Sequence, residues 1–154
     1  YGGGTGGGAI LYNALLYRNN AGWQGGGANA ATLYNCTIVS NTSSDLGGGC
    51  YGGSRYNCIS WDNNKPDYGS SYYFCCGVGL TNNASITNDP LFADSANINY
   101  RLSPASPCLN TGSNQAWMAN AVDLDGNRRI AVLGGTVDMG AFEYPLRGTF
   151  FRGR

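Results

Sequence analysis

Four groups of side chains in this sequence could carry chemistry. Asp123, Asp125 and Asn127 alternate around Gly126 in the run Asp-Leu-Asp-Gly-Asn. Alternate oxygen-bearing residues with a glycine in the loop suit calcium, which takes oxygen ligands. An EF-hand loop would end in a bidentate acid at its twelfth position, and here that position is Gly134. The favoured reading is therefore a turn whose aspartates accept backbone N–H bonds and pair with Arg128 or Arg129. Asp138 and Glu143, the only glutamate, flank Met139-Gly140-Ala141-Phe142. Two carboxylates could serve as acid and base at a glycosidic bond. The stronger expectation is an ion pair between Asp138 and Arg128 or Arg129.

The third group is aromatic and charged. Tyr17 and Arg18 recur 44 residues later as Trp61 and Asp62, with Val39 and Ser40 midway. Tyr17 and Trp61, with Arg18 and Asp62, form a candidate glycan-binding face. An equally weighted reading makes the aromatics a packing patch covered by further chain or a partner. A lyase needs a base and cations that neutralise a sugar carboxylate. One arginine and one aspartate are too few, so no residue is given a catalytic role. The fourth group is the cysteines: Cys36, Cys50, Cys58, Cys75, Cys76 and Cys108. Their spacing makes no C-x-x-C metal pair. Six cysteines permit fifteen disulfide connectivities, and the favoured bridge joins Cys75 or Cys76 to Cys108. Histidine is absent, which excludes a Ser-His-Asp triad and a histidine-ligated zinc.

These groups must be positioned by a repeat. Tyr12-Asn13, Tyr34-Asn35 and Tyr56-Asn57 are spaced by 22 residues, and so are Asn19, Asn41 and Asn63. The triplet Gly25-Gly26-Gly27 returns as Gly47-Gly48-Gly49 at the same interval. Within each copy apolar residues alternate, as in Tyr34, Cys36 and Ile38. That period of two reads as a strand of about six residues. Such a strand recurring every 22 residues is too widely spaced for hairpins. It predicts an all-β parallel β-helix of about 22 residues per coil, each strand lying on its equivalent about 4.8 Å away. Asn19, Asn41 and Asn63 are expected at a corner, in left-handed backbone and in an amide ladder. The glycine triplets mark a second corner. Ala14, Cys36 and Cys58 face the core, and parallel cysteines one coil apart sit slightly too far for a disulfide.

Residues 1–86 are read as coils, 87–146 as a C-terminal β-rich cap covering the last strand edge, and 147–154 as a tail or linker. Asn35, Asn41 and Asn83 match the N-glycosylation pattern, with Asn83 expected to be the best exposed. The start at Tyr1-Gly2-Gly3-Gly4 reads as a fragment or a processed product. Nine basic and nine acidic side chains, with Lys65 the one lysine, argue against nucleic acid or an anionic membrane surface as partner. No run of apolar residues is long enough to span a membrane as a helix.

The coils resemble right-handed parallel β-helix proteins of the pectin-lyase-like superfamily. The later region resembles the C-terminal part of bacterial choice-of-anchor surface proteins. The matching pieces are Asp89-Pro90-Leu91-Phe92, Tyr100-Arg101-Leu102-Ser103-Pro104, Ser106-Pro107-Cys108-Leu109-Asn110-Thr111-Gly112, Asp123 to Arg129, and Val137 to Tyr144. The family often carries aspartate and alanine within the stretch held here by Leu109 to Gly112. The resemblance implies a secreted or surface-anchored bacterial protein and no particular reaction. The expectation is a non-enzymatic extracellular stalk or adhesin fragment that contacts glycans. The alternatives are a polysaccharide lyase or hydrolase with its catalytic coils upstream, and a self-assembling filament subunit joined end to end.

Overall fold

A computed structural model describes residues 2–130 and 134–145; the expected tail, 147–154, lies outside the described residues. Each repeat opens with a short strand ending in tyrosine. Ile10–Tyr12, Thr32–Tyr34, Ser54–Tyr56 and Ser71–Tyr73 form one parallel sheet. Tyr12 lies on Tyr34, Tyr34 on Tyr56 and Tyr56 on Tyr73, in steps of 22, 22 and 17 residues. A second parallel sheet stacks Leu15–Tyr17, Thr37–Val39, Ile59–Trp61 and Cys76–Gly77. Two-stranded parallel pairs complete the repeats: Asn20–Ala21 with Thr42–Ser43, and Ala28–Asn29 with Cys50–Tyr51. The result is an all-β, solenoid-like stack of parallel sheets in register.

The single six-residue strand read from the alternation is two three-residue strands. They meet at Asn13, Asn35 and Asn57, whose φ angles are 51°, 47° and 52°. Left-handed backbone is tolerated best by glycine and asparagine. It breaks the alternation, so the tyrosines point outward while Cys36 and Cys58 point into the lumen. In the last turn Phe74 takes this position, with φ 52°.

The second bend also differs in detail from expectation. Asn19, Asn41 and Asn63 do stack, but the left-handed residues are their predecessors Arg18, Ser40 and Asp62, at φ 51°, 55° and 53°. The asparagines work through their side chains instead. Asn19 Nδ2 donates to Asn41 Oδ1 at 3.0 Å, and Asn41 Nδ2 donates to Asn63 Oδ1 at 3.1 Å. The same oxygens accept the backbone N–H groups of Asn19 and Asn41, each at 2.9 Å. Corner amides with no strand partner are thereby satisfied from within the stack. At the glycine corner the coils approach closely: a Cβ on Gly27 would stand 2.8 Å from the Gly49 carbonyl oxygen.

The lumen is filled by Leu16, Leu33, Ile38, Cys36, Cys58, Cys75 and small residues. Burying each larger aliphatic chain contributes about 1.5–3 kcal/mol. An ion pair enters this lumen. Arg55 occupies the column of Leu11 and Leu33 and is 2% exposed. It pairs there with Asp67, whose other oxygen accepts the Cys50 N–H at 2.7 Å. The far end is closed locally: Leu80 is buried in the lumen, Ile86 bridges Cys76, and the Asn83 carbonyl accepts the Phe74 N–H at 2.9 Å.

Within residues 87–130 and 134–145, part of the stretch read from the sequence as a cap, contacts run along the flank, from Asn13 and Tyr12 in the first turn to Cys76 in the last. Among the described residues of this segment the regular strands are the antiparallel pair Phe92–Asp94 and Asn99–Leu102. No helix among the described residues is long and apolar enough to cross a membrane.

Candidate functional site

The outward face of the second sheet holds the residues singled out as a glycan face. Its alternation turns Leu16 and Ile38 inward, and Tyr17, Val39 and Trp61 outward. Much of that face is covered. The Tyr100 ring packs 5.4 Å from Tyr17, and Phe142 and Phe92 join the same apolar cluster. The Arg18 guanidinium lies 4.9 Å from the Tyr17 ring centre. Tyr17 is thus largely a packing residue.

Trp61 keeps an open side. It is half-buried, and with the exposed Asp62 it lines two adjoining cavities of about 370 and 360 Å³. Lys65 and Asn64 border the first; Asp89 and Tyr100 border the second. The Lys65 ammonium donates to the carbonyls of Ser44 and Asp45, both at 2.6 Å. Asp62 and Asp89 give the second cavity a negative lining.

The acidic residues of the C-terminal segment are drawn into its own folding. Asp123 Oδ1 accepts the N–H groups of Asp125 and Asn127 at 2.8 Å, and its Oδ2 accepts the Glu143 N–H at 2.7 Å. Asp125 pairs with Arg101. Asn127 Nδ2 donates back to Asp123 Oδ2 at 3.2 Å. This is a tight turn, and among the described residues no three His, Cys, Asp or Glu side chains are grouped to hold a metal.

Asp138 does not take the arginine. It accepts the N–H groups of Asn110 and Tyr144, both at 2.7 Å. Asn110 is left-handed at φ 53°, a conformation asparagine tolerates. Arg129 pairs with Glu143 at 2.8 Å and also reaches Asn13 Oδ1 at 2.9 Å and the Gly140 carbonyl at 3.0 Å. Arg129 is 1% exposed. Burial, reinforced by Asp138, pushes the Glu143 carboxyl up to about 7 despite Arg129. Burial likewise raises Asp138, against the two amides it accepts. A cavity of about 320 Å³ adjoins both carboxylates together with Arg128 and Tyr144.

All six cysteines are free and buried. Cys36, Cys58 and Cys75 line up in the lumen, with the Cys36 N–H donating to Cys58 Sγ and the Cys58 N–H to Cys75 Sγ, each at 3.4 Å. Burial pushes the Cys50 thiol up to about 12, with Asp67 adding to it. Cys76 and Cys108 belong to a separate cluster outside the lumen. Of the asparagines in glycosylation patterns, Asn35 and Asn41 are buried and Asn83 is exposed.

The tyrosine column of the repeat is longer than the sequence spacing shows, and its rings stack face to face. Tyr12, Tyr34, Tyr56 and Tyr73 stack with centroids 4.8, 4.9 and 5.0 Å apart and planes within 11° of parallel. Trp117 meets Tyr12 edge-on at 4.8 Å. The 22-residue tyrosine period signals the first three members, but the 17-residue step conceals Tyr73. Because the rings face one another, the column offers its edges rather than its faces to a ligand. Comparison of the chain with protein-family models, with curated proteins and with solved structures finds no match in any of the three.

Proposed function

We propose that this chain is a non-enzymatic extracellular or cell-surface module, a stalk or adhesin fragment, whose Trp61 groove contacts a glycan. In this reading the stack is a right-handed parallel β-helix of about 22 residues per coil, with a C-terminal cap of the choice-of-anchor type. The observation that carries it is the placement of Trp61: one indole forms the common wall of two cavities, beside the exposed Asp62. A half-buried indole with polar neighbours suits the apolar face of a sugar ring and its hydroxyls. The negative lining from Asp62 and Asp89 favours neutral or amino sugars over uronic acids.

The same charge argument weighs against the lyase alternative, which needs cations at a sugar carboxylate. Asp67, Asp123, Asp125, Asp138 and Glu143 are each engaged by a guanidinium or backbone amides. The filament alternative would use the first turn, where Ile10 is 61% and Tyr12 48% exposed.

Calorimetric titration with neutral and glucosamine-containing oligosaccharides tests the reading. Binding that Trp61→Ala abolishes, with the oligosaccharide recovered intact, is the expected result. No binding, binding indifferent to Trp61→Ala, or release of unsaturated or shortened sugars would overturn it. A concentration-dependent polymer on a sizing column would favour the filament.

A further inference from the structure

Cys75 lies just before the strand Cys76–Gly77, and the two neighbouring cysteines point to opposite sides of the wall. Cys75 enters the lumen among Cys58, Leu33 and Leu80. Cys76 points out, into a cluster with Ile59, Leu102, Met139 and Cys108. Cys76 and Cys108 are each 0% exposed and share this one buried cluster, where the Cys76 thiol donates to the Asn88 carbonyl at 3.2 Å. The backbone holds Cys108 in place: its N–H donates to Ser106 Oγ at 3.1 Å, and its carbonyl accepts the Met139 N–H at 3.0 Å. The lumen thiols are arranged differently. They follow the parallel register, whose strand spacing of about 4.8 Å exceeds the Cβ separation of about 3.5–4.5 Å that a disulfide needs.

We propose that Cys76 and Cys108 form a disulfide that fastens the C-terminal segment to the last turn, while the other four cysteines stay thiols. The bond forms by exchange with a small-molecule or enzyme disulfide. One cysteine thiolate attacks the oxidant's S–S bond and releases one thiol. The second cysteine thiolate then attacks the mixed disulfide and releases the other. The two cysteines lose two protons and two electrons, and the oxidant is reduced to two thiols. Since both sulfurs are sealed from solvent in the docked state, exchange precedes docking. The inference is independent of the Trp61 reading, because its readout is covalent mass.

The full chain is refolded with oxidised and reduced glutathione, denatured in guanidinium and alkylated. Four of the six cysteines should react, and proteolysis should yield one peptide pair joining Cys76 to Cys108. Six reactive cysteines, or a bridge through Cys36, Cys50, Cys58 or Cys75, would overturn the proposal. Cys76→Ala/Cys108→Ala provides the second arm. Dithiothreitol should lower the melting temperature of the parent chain by several degrees and leave the double variant unmoved. An equal response of both proteins would count against the staple.

Discussion

Asn41 and Arg129 are both buried polar side chains, and they stabilise two different kinds of structure. Asn41 belongs to a column in which each rung repeats the bonds of the one below. Arg129 belongs to the flanking segment and makes four contacts that occur once: Asn13, Asn35, Gly140 and Glu143. In the stack, contacts run between equivalent positions, so stability is spread over similar rungs. On the flank a single guanidinium gathers two turns and the segment itself. A repeat can therefore lose one rung and keep its neighbours, whereas the flank has no second copy of its central contact.

Substitutions can break that contrast. Arg129→Met should have the largest effect, a loss of about 3–5 kcal/mol, because it leaves a buried carboxylate without its partner. Denaturant unfolding followed through Trp117 should show the segment releasing before the coils. A single concerted transition would instead show that flank and coils form one cooperative unit. Asn41→Ala should cost about 2–4 kcal/mol, since it strands the Asn19 N–H and the Leu16 carbonyl. Its transition should stay concerted, as a change within the stack spreads to neighbouring rungs.

The third test uses pH. The Glu143 carboxyl lies at about 7 in the folded chain, above its ordinary value of 4.5. A raised acid binds its proton more tightly when folded. Its stabilisation is therefore full below the unfolded value and is lost as pH rises towards 7. The loss between pH 5 and pH 7 should be on the order of 2 kcal/mol. Asp138, shifted in the same direction, likewise loses stabilisation as pH rises above its ordinary range. Glu143→Gln should flatten the slope in urea titrations at stepped pH; an unchanged slope would assign it elsewhere. The smallest effect is expected at the tyrosine column. Tyr34→Leu removes two stacking contacts but keeps apolar cover, for about 1 kcal/mol.

Where the chain repeats itself, the sequence carries its own map. The spacing of Tyr12, Tyr34 and Tyr56 and of Asn19, Asn41 and Asn63 corresponds to direct superposition. What escapes is whatever the repeat does not encode. The bend at Asn13, Asn35 and Asn57 splits one apparent strand into two, because apolar alternation says nothing about a left-handed φ. The short last turn moves Tyr73 and Cys76 out of phase. Arg129 meets residues 94 and 116 positions away, a distance at which pairing rests on packing and not on local pattern. The candidate groove divides along the same line. Trp61 and Asp62 stand out through their columns, while Asp89 and Tyr100 arrive from the segment that folds back over the sheet.

The column Tyr12, Tyr34, Tyr56 and Tyr73 has an optical consequence. Four phenol chromophores with nearly parallel planes, about 5 Å apart, are close enough for their ultraviolet transitions to mix. The twist between successive strands gives that assembly a handedness. Near-ultraviolet circular dichroism should then follow the order of the whole pile without any attached label. Removing a central ring should weaken the signal by more than a quarter of its amplitude.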